Sequence, residues 1–122
     1  MHKNFGVGVD IEEVARFKSL IRNKRFLKRV YTDKEITYCR SKKNKEQHFA
    51  VRFAAKEAVW KVISQYLSNK KISLAHYEIG VKNSALGKPE VELPAKLGPL
   101  KNRLSLSLSH TKNYAVAVAM LV

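Results

Sequence analysis

From residue 5 the chain alternates: Phe5, Val7, Val9 and Ile11 are apolar, while Gly6, Gly8 and Asp10 fill the places between. A period of two belongs to a strand, whose side chains point alternately to opposite faces. Residues 5–10 therefore predict a strand that Asp10 closes, with one apolar face and one bare face. The bare face carries the Asp10 carboxylate and leaves room for a ligand. Beyond Asp10 the spacing turns helical through Val14, Phe17, Leu20 and Ile21, with Glu12 and Glu13 in the first turn. A strand is thus expected to hand over to a helix here, and a capping box between Asp10 and Glu13 is the plain structural reading of that aspartate. Leu20, Ile21, Phe26, Leu27 and Val30 continue an apolar side opposite Lys18, Arg22, Lys24, Arg25, Lys28 and Arg29, which predicts a packed helix with a cationic outer face. Thr32-Asp33-Lys34-Glu35 is a second capping-box signature and opens a short helix through Ile36, Tyr38 and Cys39. Arg40 to Lys45 reads as a basic linker.

The longest element runs from about Glu46 to Leu67. Phe49, Phe53, Trp60 and Ile63 form one apolar stripe on it, Ala54, Ala58 and Val62 a second, and a narrow polar strip of Glu57, Lys61 and Ser64 lies between. A helix apolar on two sides is packed on both, which puts that strip in a cleft or at a joint between subunits. Ser68 to Lys71 makes a polar turn, after which the period returns to two. Tyr77, Ile79 and Val81 alternate with polar or small residues, Asn83 to Pro89 turns, and Glu90 to Leu93 returns, giving one hairpin. Pro94 to Asn102 is expected to be a loop. Leu104, Leu106 and Leu108 then alternate with serines and turn at Thr111-Lys112-Asn113 into Tyr114 to Met120, a second hairpin whose Ala- and Ser-bearing faces suggest close approach by a helix or another subunit. Strand, helices and then four strands predict an α+β fold with helices packed on a mostly antiparallel sheet. At 122 residues, one domain spanning 1–122 is expected.

Composition adds one strong bias. Against 10 Asp and Glu stand 24 Lys and Arg, a net charge of +14, which favours a polyanionic partner: nucleic acid, a lipid surface, a phosphorylated cofactor or an acidic protein. The lone Cys39 cannot form an internal disulfide and reads as a buried, inert thiol in a reducing compartment. The longest apolar run, Tyr114 to Val122, is far below the roughly 20 residues of a membrane span, and Met1 to Asn4 leads straight into a strand, so a cytoplasmic protein is expected. One Cys and scattered His residues offer no zinc spacing, and no Gly-rich loop opens a helix.

Two carboxylates and a lysine suit Mg²⁺, which takes one or two protein carboxylates and completes its shell with water and phosphate oxygens. The plain alternative for Glu57 and Lys61 is a helical ion pair at i,i+4, worth about 0.2–0.5 kcal/mol. Four segments change the balance: Gly8-Val9-Asp10-Ile11-Glu12, Arg52-Phe53-Ala54-Ala55-Lys56-Glu57-Ala58-Val59-Trp60-Lys61, Gly87-Lys88-Pro89 and Ser107-Leu108-Ser109-His110. In this order and spacing they resemble the signatures of the 4'-phosphopantetheinyl transferases, specifically the small holo-[acyl-carrier-protein] synthases.

The resemblance implies transfer of the phosphopantetheine arm of coenzyme A to a serine of apo-acyl carrier protein, releasing adenosine 3',5'-bisphosphate, in fatty acid biosynthesis. It implies Asp10 and Glu57 as Mg²⁺ ligands and Lys61 as a cation for the pyrophosphate or the leaving group. It also implies Arg52, Gly87, Lys88, Pro89 and His110 beside coenzyme A. Glu57, a metal-bound water or His110 could each deprotonate the serine. Strand parity sets His110 on the side of Leu104, Leu106 and Leu108 unless the strand has ended, and a structural histidine there is the alternative. The family further implies a homotrimer with active sites between subunits, and docking of an acidic carrier protein on the helix after Asp10, with Arg16, Lys18, Arg22, Lys24 and Arg25. No membrane and no nucleic-acid partner is expected on this reading. The rival is a small basic nucleic-acid-binding module, supported by charge alone.

Overall fold

The computed structural model describes residues 6–68 and 72–122; Phe5, the leading Met1 to Asn4 and residues 69–71 of the expected turn lie outside them. Strand β1 (Gly6–Glu13) pairs antiparallel with β5 (Tyr114–Leu121), which pairs antiparallel with β4 (Leu104–His110), in the sheet order β1-β5-β4. The register sets Gly8 opposite Ala119, Asp10 opposite Ala117, and Leu106 and Leu108 opposite Ala119 and Ala117. Glycines, alanines and leucines thus share one face, and the long helix α4 (Lys45–Tyr66) lies on it.

The small residues permit a close approach. A Cβ on Gly8 would come within 2.0 Å of the Ala58 carbonyl oxygen, so only glycine fits where α4 crosses β1. Here the structure corrects the sequence reading. At Gly8 the bare face of β1 is filled by a helix, and the apolar face turns outward, with Val7, Val9 and Ile11 exposed to 45%, 51% and 61%. The strand also continues three residues past Asp10, because Ile11, Glu12 and Glu13 go on pairing with Val116, Ala115 and Tyr114. Asp10 is therefore a mid-strand residue and caps no helix. A 3₁₀ turn (Val14–Arg16) and one turn of helix, α1 (Phe17–Leu20), follow instead.

The helix expected over the basic stretch is interrupted at residues 21–23. Asn23 caps α2 (Lys24–Val30) by accepting the Phe26 N–H at 3.2 Å. Helix α3 (Asp33–Arg40) opens with the expected capping box: the Thr32 hydroxyl accepts from the Glu35 N–H, and Glu35 Oε1 accepts from the Thr32 N–H. These short helices close a second core of Phe17, Leu27, Tyr31, Cys39 and Phe49 against the start of α4. Cys39 is fully buried and burial pushes its thiol up to about 12, as its inert reading requires.

The first hairpin, β2 (Gly80–Asn83) and β3 (Pro89–Glu92), forms a separate two-stranded sheet, and Gly87 takes the positive φ of 82° that its turn needs. Residues expected as a loop wind into a 3₁₀ helix (Ala95–Arg103), whose period of three buries both Leu97 and Leu100. The architecture is α+β, with every strand pair antiparallel.

One feature of the core was not expected. Lys56 is 0% exposed and pairs with Glu35 at 2.6 Å, while its Nζ also donates to the His76 and Ile79 carbonyls. The second Glu35 oxygen accepts the Val81 N–H at 2.8 Å. Burial lowers the Lys56 ammonium and Glu35 raises it again. At 2.6 Å, with two carbonyls also accepting from the ammonium, the geometry favours the ion pair. The pair bolts α3, α4 and β2 together.

Candidate functional site

On β1, Asp10 shares the α4-facing side with Gly8 and Glu12. Lys61, two-fifths exposed, reaches across from α4 and donates to the Val9 carbonyl at 2.9 Å and to Asp10 Oδ1 at 3.4 Å. Asp10 Oδ2 is buried and receives no donor from the described residues. Glu12, 7% exposed, accepts from Arg16 at 2.8 Å. Burial, then the hydrogen bond and charge of Asp10, push the Glu12 carboxyl up to about 8, against the opposing charge of Arg16. The Glu57 charge also raises Glu12, which places the three acids in one electrostatic neighbourhood. Glu57 Oε1 itself accepts from His76 Nε2 at 2.6 Å.

Asp10 and Lys61 therefore meet, and the charge of Glu57 is felt at the neighbouring Glu12. Among the described residues no three His, Cys, Asp or Glu side chains converge as a ready metal cage. A hard cation such as Mg²⁺ takes one or two protein carboxylates and completes its shell with water and phosphate oxygens. The donor-less oxygen of Asp10 fits such an ion.

The remaining expected residues lie elsewhere on the chain. Arg52, Gly87, Pro89 and His110 line a cavity of about 340 Å³ together with Tyr38, Gln47, His48, Asn83 and Ser107. On α4, Arg52 and Glu57 are five residues apart, about 140° around the helix axis, and neither Asp10, Glu57 nor Lys61 lines this cavity. Lys88 faces a neighbouring depression with Lys101 and Ser105. His110 ends β4 opposite Ala115, on the leucine side as parity demands, and that side opens into the cavity at the strand's end. Arg52, 5% exposed, stacks its guanidinium 4.3 Å over the Tyr38 ring, and its Nε has no hydrogen-bond partner among the described residues. Burial, then the charges of Arg52, Lys42 and His110, lower His48, so the cavity is a cationic environment suited to an anion.

Arg16, Lys18, Arg22, Lys24 and Arg25 are all exposed. They spread over the 3₁₀ turn, α1 and the start of α2 rather than along one helix, and Arg16 reaches back to Glu12. Three site residues escaped the sequence reading. Glu12 was legible by strand parity, two residues from Asp10, had the strand been extended. His48 stands one helical turn before Arg52 on the same face. Nothing in the spacing announced His76, which arrives from a 3₁₀ turn (His76–Glu78).

Residues 6–119 match the family model of the 4'-phosphopantetheinyl transferase superfamily. The chain is 44% identical to a holo-[acyl-carrier-protein] synthase of Geotalea daltonii, over 96% of this chain and 97% of that protein. Among solved structures it is similar to the ACPS–CoA complex of Chronobacterium ammoniagenes, with a TM-score of 0.81, 26% identity and 98% of each chain covered. It is also similar to a Bacillus anthracis holo-(acyl-carrier-protein) synthase in complex with CoA (3',5'-ADP), with a TM-score of 0.74, 30% identity, and 95% of this chain and 94% of that one covered.

Proposed function

Because the chain belongs to the 4'-phosphopantetheinyl transferase superfamily, we propose that it transfers the 4'-phosphopantetheine arm of coenzyme A to a serine hydroxyl of apo-acyl carrier protein. The serine oxygen bonds to the phosphorus bearing the pantetheine arm, the pyrophosphate bridge to the adenosine side breaks, and adenosine 3',5'-bisphosphate leaves. The buried Oδ2 of Asp10, which receives no donor from the described residues and whose carboxylate meets Lys61, carries the reading. Asp10 and Glu57 hold Mg²⁺ in this proposal. When bound, the ion neutralises the pyrophosphate and the charge that develops at phosphorus, the electrostatic work that dominates phosphoryl transfer. Lys61 places its ammonium at the rim of the same cluster, where it steadies pyrophosphate oxygens. The cationic cavity of Arg52, His48 and His110 receives the adenosine end, whose phosphates its charge attracts.

Carboxylates and cavity lie on different faces of one chain, so one coenzyme A is served by two subunits. The outward apolar face of β1, continued by Met120 of β5, supplies the surface on which subunits meet in a homotrimer. The exposed cations from Arg16 to Arg25 dock the acidic carrier protein. In this proposal the carrier is of the fatty-acid type and the enzyme works in the cytoplasm, a reading supported by likeness to holo-[acyl-carrier-protein] synthases over nearly their whole length. The nucleic-acid alternative keeps only the charge in its favour: Phe49 is buried in the core, and Phe53 and Trp60 stack on His76.

Asp10→Ala and Glu57→Ala are each expected to abolish Mg²⁺-dependent formation of holo-carrier protein while leaving thermal unfolding cooperative. Wild-type turnover in either variant would refute the metal pair.

A further inference from the structure

Glu57 has a partner to which the mechanism above gives no work. Its Oε1 accepts from His76 Nε2 at 2.6 Å, and since a carboxylate only accepts, Nε2 carries the proton. The imidazole lies nearly parallel to two aromatic rings, with centroids 6.4 Å from Phe53 at 13° and 5.6 Å from Trp60 at 20°. Phe53, Glu57 and Trp60 stand at i, i+4 and i+7 on α4, so a single helix face supplies ring, acceptor and ring. The segment behind His76 is fixed as firmly. Trp60 Nε1 donates to the Leu74 carbonyl at 3.0 Å, buried Lys56 donates to the carbonyls of His76 and Ile79, and Glu78 accepts the Ala75 N–H at 3.0 Å. An imidazole held at its backbone and flanked by two nearly parallel rings cannot follow a swinging carboxylate; it restrains it.

We propose that His76 is a positioning residue for the cation site: it fixes Glu57 Oε1 and so presents the other carboxylate oxygen as a ligand. The proposal rests on the reading of Asp10 and Glu57 as the metal pair. A free glutamate side chain has three rotatable bonds to freeze when an ion binds; a pre-set one has lost that freedom already. Hydrogen-bond partners of metal ligands typically carry 10- to 100-fold in metal affinity.

The test is Mn²⁺ binding to the intact protein with coenzyme A present and carrier protein omitted, read from the free-ion EPR signal. His76→Phe keeps a ring between Phe53 and Trp60 but removes the donor, and is expected to weaken Mn²⁺ at least about tenfold. His76→Gln, whose amide donates, should recover most of that loss. On a Glu57→Gln background His76→Phe should cost nothing further, because its effect passes through Glu57. Unchanged or tighter binding by His76→Phe, no recovery in His76→Gln, or failure of His76→Phe to fold would overturn the proposal and leave His76 structural. Should Glu57→Gln and Asp10→Asn bind Mn²⁺ as wild type does, the metal pair itself falls instead.

Discussion

Glu12 sits two residues beyond Asp10 on the same side of a strand, buried and within reach of two other acids, and its protonation should be visible in stability. Its carboxyl is raised from an ordinary 4.5 to about 8 by burial first and Asp10 second. The folded state therefore binds this proton more tightly than the unfolded chain. The resulting stabilisation is fully present below pH 4.5 and is lost as pH rises through about 8. Thermal melts of metal-free protein across that window should show wild type losing stability relative to Glu12→Gln, which carries no titrating group. Parallel profiles would contradict the raised Glu12 carboxyl. The meeting of Asp10 and Lys61 was legible because the motifs that carry them point to one site. Glu12 stayed hidden because a helix expected to begin at Asp10 turns it into an ordinary first-turn acid.

Helix α4 touches most of what matters, and its fit on β1 depends on the absence of a side chain. Gly8→Ala would drive a Cβ to 2.0 Å from the Ala58 carbonyl, a backbone atom that cannot rotate away. A loss of about 1–3 kcal/mol in denaturant unfolding is expected, as for other overpacked cores; a neutral result would show that helix and strand separate freely. The buried Lys56 and Glu35 pair makes a second demand on the same helix. Removing one charge, as in Lys56→Met, should cost about 3–5 kcal/mol by stranding the other. Element types were readable wherever a period was strong: α4, the second hairpin and the Thr32 capping box stand as expected, while the first hairpin begins only at Gly80, its expected opening at Tyr77 lying in the 3₁₀ turn of His76–Glu78. Expectations failed where pairing from far along the chain decides. The ladder to β5 extends β1 past Asp10, and two buried leucines wind the expected loop after β3 into 3₁₀ turns.

At the scale of the molecule, the distribution of functional groups is the informative fact. The acids and Lys61 lie on one face of α4, while the cavity of Arg52 and His110 lies on another, and an apolar sheet face is left outward. A subunit-shared site predicts complementation: Glu57→Ala and Arg52→Gln proteins, each inactive alone, should regain about a quarter of wild-type activity when unfolded and reassembled together at equal ratio, since one interface in four is then intact. No recovery in mixed oligomers would argue for a site within one chain. The net charge of +14 is expected to speed encounter with an acidic carrier, and the apparent KM for carrier should rise with salt more than that for coenzyme A. The most direct test of the account is the intact mass of apo-acyl carrier protein after incubation with this protein, coenzyme A and Mg²⁺, with an EDTA control. A gain of one phosphopantetheine arm that disappears with EDTA is the predicted result. An unmodified carrier in the presence of Mg²⁺ would contradict the transferase assignment, and modification undiminished by EDTA would contradict the metal.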